Sequence, residues 1–304
     1  MNGIINVYKE QGYTSHDVVA KLRGILNMKK IGHTGTLDPE AVGVLPVCLG
    51  KATKLCDMIT DWNKTYEAVM LLGVTTDTQD TTGQIISECE VNVSEVDILE
   101  ACNSFVGEYN QIPPMYSALK HNGKKLYELA RAGIEIEREP RKVTIKSIHI
   151  NDIDLEDKEK KVTFTVECSK GTYIRTLCED IGKKLGCGAC MMKLIRTRVG
   201  CFGLDQSITV NEIAAHVLKG DLSDYVKNID DMFETYRKIV IKPDFDKLLY
   251  NGNKLPFSAV VQEDEDIQLL DMEKYRVYDK DNKFIGVYGY ESGELFLIKM
   301  FYEA

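Results

Sequence analysis

The residues best suited to chemistry lie in a segment rich in glycine and proline, positions 31–50. Asp38 precedes Pro39, and a proline biases the residue before it toward an extended backbone. Glycines on both sides permit backbone shapes that other residues avoid, and apolar neighbours predict that the segment is anchored to a core. A carboxylate held on such an ordered loop, beside His33 and hydroxyl groups, could be presented as a catalytic acid. The alternative is an ordinary turn, because Asp-Pro is a common turn dipeptide.

The cysteines and histidines do not show the spacing of a metal site. Cys187 and Cys190 form a CxxC pair, but a zinc ribbon needs a second ligand pair and the sequence has no other CxxC. The sequence also lacks a glycine-rich dinucleotide loop and a phosphate-binding loop. We therefore expect no metal and no cofactor.

Hydrophobic periodicity predicts the elements that must position Asp38. From about residue 237 the pattern changes to short strands and polar turns, which indicates a small all-β module with a boundary near residue 238. This is an α+β architecture, with a catalytic-sized body followed by a small β-barrel. The predicted elements of the body are strands over 4–8, 65–73, 142–151 and 161–168, helices after Thr14-Ser15 and over 94–105, 173–185 and 208–218, and an ordered loop over 31–50.

The composition is that of a globular protein, with 304 residues, 44% hydrophobic and 28% charged. No apolar run approaches the length of a membrane span, and the first residues do not resemble a secretory signal. Nine cysteines in such a chain predict reduced thiols and a cytoplasmic location.

The net charge of −9 argues against a nucleic-acid partner, but its distribution argues differently. Residues 21–54, 117–146 and 168–200 are each basic, whereas residues 65–119 contain nine acidic residues and no Lys or Arg. Residues 241–304 are acidic. Charge alone leaves open whether these segments form one positive face on an acidic body.

Three long strings carry a family resemblance. The segment 32–54 contains Gly-His-Thr-Gly-Thr-Leu-Asp-Pro and Leu-Pro-Val-Cys-Leu-Gly-Lys-Ala-Thr-Lys, 111–120 reads Gln-Ile-Pro-Pro-Met-Tyr-Ser-Ala-Leu-Lys, and 168–177 reads Cys-Ser-Lys-Gly-Thr-Tyr-Ile-Arg-Thr-Leu. In this order they resemble the signature of TruB-type pseudouridine synthases, over about residues 2–200. The C-terminal module more weakly resembles the PUA-like RNA-binding domain of these enzymes.

The resemblance implies a mainly antiparallel catalytic domain over 1–238, with an RNA-gripping insertion near 111–146, and a PUA-like barrel over 239–304. It implies isomerisation of uridine 55 in the tRNA T-loop to pseudouridine, without a cofactor. Asp38 matches the catalytic aspartate and Arg175 the arginine paired with it, while Tyr66, Tyr173 and Leu194 match residues of the substrate pocket.

The resemblance also implies an RNA-binding surface that contacts the T-loop and T-stem. His33 matches a residue that supports the flipped nucleotide. The lysines and arginines expected to contact phosphates are Lys9, Lys51, Lys54, Lys120, Lys124, Lys125, Arg141 and Lys142. The family suggests a monomer that needs no protein partner and no membrane.

Two alternatives stay open. One is a Cbf5-type enzyme that works with a guide RNA, although the intact segment from Gln111 to Lys146 favours the stand-alone type. The other is a tRNA-folding chaperone whose binding role outweighs catalysis.

Overall fold

The computed structural model describes residues 1–261 and 268–302. The α-helices are α1 Ser15–Ile25, α2 Cys56–Thr60, α3 Glu95–Asn103, α4 Leu126–Arg131, α5 Ile174–Leu185, α6 Val210–Lys219 and α7 Asp246–Tyr250. The strands are β1 Gly3–Lys9, β2 Ile31–His33, β3 Val42–Leu49, β4 Lys64–Leu72, β5 Val74–Thr76, β6 Ile85–Glu88, β7 Gly107–Gln111, β8 Lys120–His121, β9 Lys124–Lys125, β10 Arg141–Asp154, β11 Lys161–Cys168, β12 Ala189–Val199, β13 Phe202–Gly203, β14 Val226–Lys227, β15 Arg237–Val240, β16 Leu255–Pro256, β17 Lys274–Tyr278, β18 Phe284–Glu291 and β19 Glu294–Met300.

A large, mainly antiparallel sheet forms the body of the molecule. Its strand order is β14-β1-β3-β12-β4-β11-β10-β7, with β2 added to β3 and β13 added to β12. In β11 buried and half-buried residues alternate, as the sequence pattern predicts for a strand with one face on a core. The α+β fold with a mainly antiparallel sheet is therefore confirmed.

Helices cover the sheet and bury their apolar faces against it. α1 begins with a capping box, in which the Thr14 hydroxyl accepts a hydrogen bond from the backbone of Asp17 and the Asp17 carboxylate accepts one from the backbone of Thr14. The helix then buries Val18, Val19 and Leu22. None of the helices within the described ranges is long and apolar enough to span a membrane.

The segment over 31–50, expected to be a loop, contains β2 and β3. β3 pairs with β1 from Gly43 to Leu49, although Gly43 and Pro46 are residues that normally weaken strands. Long-range pairing with a neighbouring strand overrides these local preferences. What remains as loop is the stretch between β2 and β3, which contains Asp38.

A second sheet, with the order β15-β17-β18-β19-β16, forms the C-terminal part. It does not stand apart from the body. Phe284 and Phe301 of this part share a hydrophobic core with Ile4 and Val44 of the large sheet, and Phe233 lies in the same core.

Candidate active site

The loop between β2 and β3 is fixed at several points and presents Asp38. The hydroxyl of Ser15, at the start of α1, accepts a hydrogen bond of 2.9 Å from the backbone N–H of Leu37. The backbone N–H of Ala41 donates to the carbonyl of Asp38 at 3.1 Å. Leu37 and Ala41 are buried in the core of the large sheet, whereas the Asp38 side chain is 42% exposed. The loop is anchored, and its carboxylate faces the solvent.

Arg175, at the start of α5, forms an ion pair with Asp38. Its Nε lies 2.9 Å from Oδ2 of Asp38, and its side chain is only 6% exposed. Its two terminal nitrogens donate to the carbonyls of Thr78 and Tyr116, each at 2.9 Å. Three separate segments therefore hold the guanidinium, which in turn fixes the direction of the carboxylate.

Asp80 is a second carboxylate at this site. Its Oδ2 lies 3.8 Å from Nε of Arg175, and its side chain is 18% exposed. Its Oδ1 accepts hydrogen bonds from the hydroxyl of Thr78 and the backbone of Thr82. Asp80 belongs to the acidic stretch of residues 65–119, and the turn after β5 folds its carboxylate toward the guanidinium.

Aromatic and apolar side chains lie in the core beside the Asp38 loop. Tyr66 on β4 and Leu194 on β12 are buried in the same core as Leu37. Burial raises the pKa of Tyr66 and of Tyr173, and the negative charge of Asp38 adds to the increase in the pKa of both. The structure thus places Tyr66 and Tyr173 within electrostatic reach of Asp38, and Leu194 in the same core as Tyr66.

Gln111, at the end of β7, positions Tyr173 through the backbone. Its amide oxygen accepts from the Tyr173 N–H at 2.8 Å, and its amide nitrogen donates to the Tyr173 carbonyl at 2.9 Å. The side chain is almost fully buried. Sequence reasoning noted the motif that contains Gln111 but assigned this residue no role.

Lys9 is not on the RNA-facing surface. It is fully buried, and its ammonium donates to the carbonyls of Glu10 and Pro39 at 3.1 and 3.0 Å. Burial lowers its pKa to about 8. The expected phosphate contact is therefore wrong for Lys9, because its side chain turns inward and holds the loop one residue beyond Asp38.

Arg196 is a further buried cation that sequence reasoning missed. Its Nε donates to the carbonyl of Val44 at 2.7 Å, and its terminal nitrogens donate to the carbonyls of Thr36 and Gly35, each at 3.4 Å. One signal was available: Arg196 lies two residues after Leu194, and such residues share one face of a strand.

His33 is half-buried at the end of β2 and borders the Asp38 loop. Its Nδ1 accepts a hydrogen bond from the backbone of Gly35 at 3.4 Å. Burial lowers the pKa of His33, and the positive charge of Arg196 lowers it further. Both effects favour the neutral imidazole.

The other basic residues form two groups. β8 and β9 are joined by Asn122-Gly123, and both residues have positive φ, as in a tight hairpin turn. This hairpin carries Lys120, Lys124 and Lys125, which form the first group together with Arg141 and Lys142, two exposed residues of β10. Lys51 and Lys54 instead face the C-terminal part. Lys54 donates to the carbonyl of Met300 at 3.0 Å, and the ammonium of Lys51 lies 5.8 Å from the ring centre of Tyr302.

Within residues 1–261 and 268–302, no group of three or more His, Cys, Asp and Glu side chains is arranged to hold a metal ion.

Comparison with known proteins gives a consistent result. Residues 23–174 match the family model of the TruB family pseudouridylate synthase N-terminal domain, and residues 175–234 match that of the tRNA pseudouridylate synthase B C-terminal domain. The chain is 52% identical to tRNA pseudouridine synthase B of Lachnoclostridium phytofermentans, covering 96% of both chains. It is 49% identical to the protein of the same name from Clostridium novyi, covering 94% of this chain and 95% of the relative.

Solved structures resemble it more distantly. A chain of a Cbf5–Nop10–Gar1 complex has a TM-score of 0.70 at 27% identity, covering 99% of this chain and 85% of that chain. A chain of an H/ACA RNP bound to a substrate RNA containing 2'-deoxyuridine has a TM-score of 0.69 at 25% identity, with the same coverage.

Proposed function

Because this chain belongs to the TruB family of pseudouridylate synthases, we propose that it isomerises uridine 55 in the T-loop of tRNA to pseudouridine. The names of its relatives support tRNA as the substrate. The motifs around Asp38, Gln111 and Arg175 support position 55, because they resemble those of enzymes that act there. The chain is an isomerase that neither imports nor releases a chemical group.

The observation that carries this proposal is the Asp38–Arg175 ion pair beside Tyr66 and Leu194. In the reaction the bond between C1′ and N1 of the nucleotide breaks, the uracil turns, and a bond forms between C1′ and C5. C5 then loses its proton and N1 gains one, so that atoms and electrons balance. Asp38 in its ionised form either adds to the sugar or base, or removes a sugar proton.

The surrounding residues have distinct proposed roles. Tyr66, Tyr173 and Leu194 form walls that retain the detached uracil and exclude water, and Tyr66 assists the proton step. The target uridine lies inside a folded loop, so it must be flipped out of its stack at a cost of a few kcal/mol. His33 supports the flipped state. The residues that would contact phosphates are Lys51, Lys54, Lys120, Lys124, Lys125, Arg141 and Lys142.

The enzyme acts alone in this proposal. The relatives named tRNA pseudouridine synthase B are 49–52% identical, whereas the Cbf5 chain is 27% identical, which favours the stand-alone reading over the guide-RNA alternative. We further propose a cytoplasmic monomer without an obligate protein partner. Residues 1–238 would be its catalytic domain and residues 239–304 its RNA-binding module.

The test is pseudouridine formation on an unmodified tRNA transcript, with the product mapped at nucleotide resolution. We expect the wild type to modify position 55 without a guide RNA, and Asp38→Asn to lose detectable turnover while its affinity for tRNA changes less than about threefold. Glu40→Gln is the matched control, because it removes an exposed charge from the same loop.

Full turnover by Asp38→Asn would refute the catalytic assignment. A wild type that binds tRNA but forms no pseudouridine would favour the chaperone alternative. Modification that appears only after a guide RNA is added would favour the Cbf5-type alternative.

A further inference from the structure

Arg196 stands out because its charge is buried without an opposite charge. The residue is 1% exposed. Among the residues that the structure describes, no carboxylate lies within ion-pair distance of its guanidinium. Lys9 and Lys64 lie near enough for the charge of Arg196 to lower the pKa of each. Burying an unpaired cation near other cations is costly, so hydrogen bonds must compensate for the lost water.

All three hydrogen bonds go to backbone carbonyls in or next to the loop that carries Asp38. They go to the carbonyls of Gly35 and Thr36, before Asp38, and of Val44, after it. The guanidinium therefore bridges the two ends of the loop that carries the carboxylate. Gly43 fits this arrangement, because a Cβ at this residue would lie 2.3 Å from the carbonyl oxygen of Arg196.

The same guanidinium lies beside Tyr66. Arg196 on β12 is the register partner of Tyr66 on β4. Burial raises the pKa of Tyr66, while the charge of Arg196 opposes that increase. Arg196 thus bonds to the Asp38 loop and lies next to Tyr66 across the β4–β12 pair.

The strand itself is shaped to direct Arg196 inward. A register shift between Arg196 and Arg198 interrupts the β4–β12 pairing, and such irregularities re-aim side chains. Leu194 and Arg196 face the core, whereas Arg198 is exposed.

We propose that Arg196 is a positioning residue for the isomerisation, which holds the Asp38 loop in one fixed arrangement beside Tyr66. The proposal rests on the proposed function for its catalytic consequence. Arg196 does not touch the substrate itself in this proposal, because it is buried. An error of about 1 Å in the placement of a reacting group can reduce a rate about 100-fold.

The test compares Arg196→Lys and Arg196→Met with the control variants Arg198→Lys and Arg198→Met. A lysine keeps the charge but cannot reach all three carbonyls, and methionine keeps much of the stem volume without the charge. We expect the single-turnover rate constant of both Arg196 variants to fall about 100-fold at saturating tRNA. The Kd for tRNA should stay within about twofold, and both control variants should behave as wild type.

Hydrogen exchange supplies a readout that does not depend on activity. Backbone amides of residues 34–44 should exchange faster in the Arg196 variants than in wild type, with exchange in β4 and β11 unchanged. If the wild type forms no pseudouridine, the proposed function fails, and the exchange experiment alone then decides whether Arg196 holds the loop.

Any of four results would overturn the proposal. One is a rate constant within about threefold of wild type. Another is a loss confined to Kd, and the third is unchanged exchange in the loop. Loss of the fold in both Arg196 variants would also overturn it, since the residue would then be purely structural.

Discussion

At the scale of single residues, the inside of the site depends on cations whose burial the sequence did not reveal. Asp38 could be singled out from its loop, whereas Arg175 was identified only through its match to the family motif. Lys9 was expected on the surface, yet it is buried. Local sequence records the type of a long side chain, whereas its direction depends on strands that are distant in sequence.

Lys9 gives a pH-dependent prediction for the variant Lys9→Met. Burial lowers the pKa of Lys9 from 10.5 to about 8. Between these values the unfolded chain binds the proton and the folded protein does not, so the stability contributed by Lys9 rises with pH in this window. Below about pH 8 the lysine is charged in both states, and its contribution does not change with pH.

The measurement is the free energy of unfolding in urea for wild type and Lys9→Met at pH 7, 8, 9 and 10. The difference should shift in favour of wild type between pH 8 and pH 10, because the other titrating groups are common to both proteins. Lys158→Met, at an exposed position, should show a difference that does not vary with pH. A constant difference for Lys9→Met would show that Lys9 titrates normally.

At the scale of elements, hydrophobic periodicity predicted the helices and strands whose pattern depends only on neighbouring residues. The capping box of α1 and the alternation in β11 are read directly from neighbouring residues. β3 was missed because Gly43 and Pro46 resemble loop residues, and its pairing with β1 joins positions about forty residues apart. The motif at Gln111 was recognised, but its bonds to Tyr173 depend on the approach of β7 to α5.

The β8–β9 hairpin gives a prediction at this scale. Lys124 is exposed and Lys125 is half-buried near the Asn122-Gly123 turn. Lys124→Glu combined with Lys125→Glu should weaken tRNA binding and flatten the dependence of log Kd on log salt, because fewer counterions are released from phosphates. The measurement is Kd across a salt titration.

A second double variant distinguishes a local effect of the two hairpin lysines from an effect of the net charge of the protein. Lys158→Glu combined with Lys219→Glu reverses two exposed lysines elsewhere on the body, so its effect on the salt slope should be small. Equal slopes for the two double variants would remove the hairpin from the RNA surface.

At the scale of the whole molecule, the sequence indicated two sheets but not their common core. The change of pattern near residue 238 matches the start of β15 at Arg237. No local signal, however, could show that Phe301 packs with Ile4 and Val44 from the other end of the chain. That residues 1–238 and 239–304 are separate domains therefore stays a prediction. The two parts pack against each other.

Phe301→Ala tests this shared core. Removing a buried phenylalanine should lower the free energy of unfolding by about 3–5 kcal/mol. Unfolding in urea, followed by tryptophan fluorescence and far-UV circular dichroism, should show one transition for the wild type with coincident midpoints. Ile298→Ala on β19 is the control, because Ile298 is 45% exposed and its loss should matter by less than about 0.5 kcal/mol. Two separate transitions in the wild type would contradict a common core.

The unequal exposure of the ion pair has a consequence for timing. The guanidinium of Arg175 is sealed, but the carboxylate of Asp38 keeps 42% of its side-chain surface in water. Under the proposed function, a base that enters the site displaces the water that contacts this carboxylate. The attraction between Asp38 and Arg175 grows as the local dielectric constant falls, so a bound base would strengthen the electric field at the site. Under the proposed function, an empty site would therefore have only part of that field.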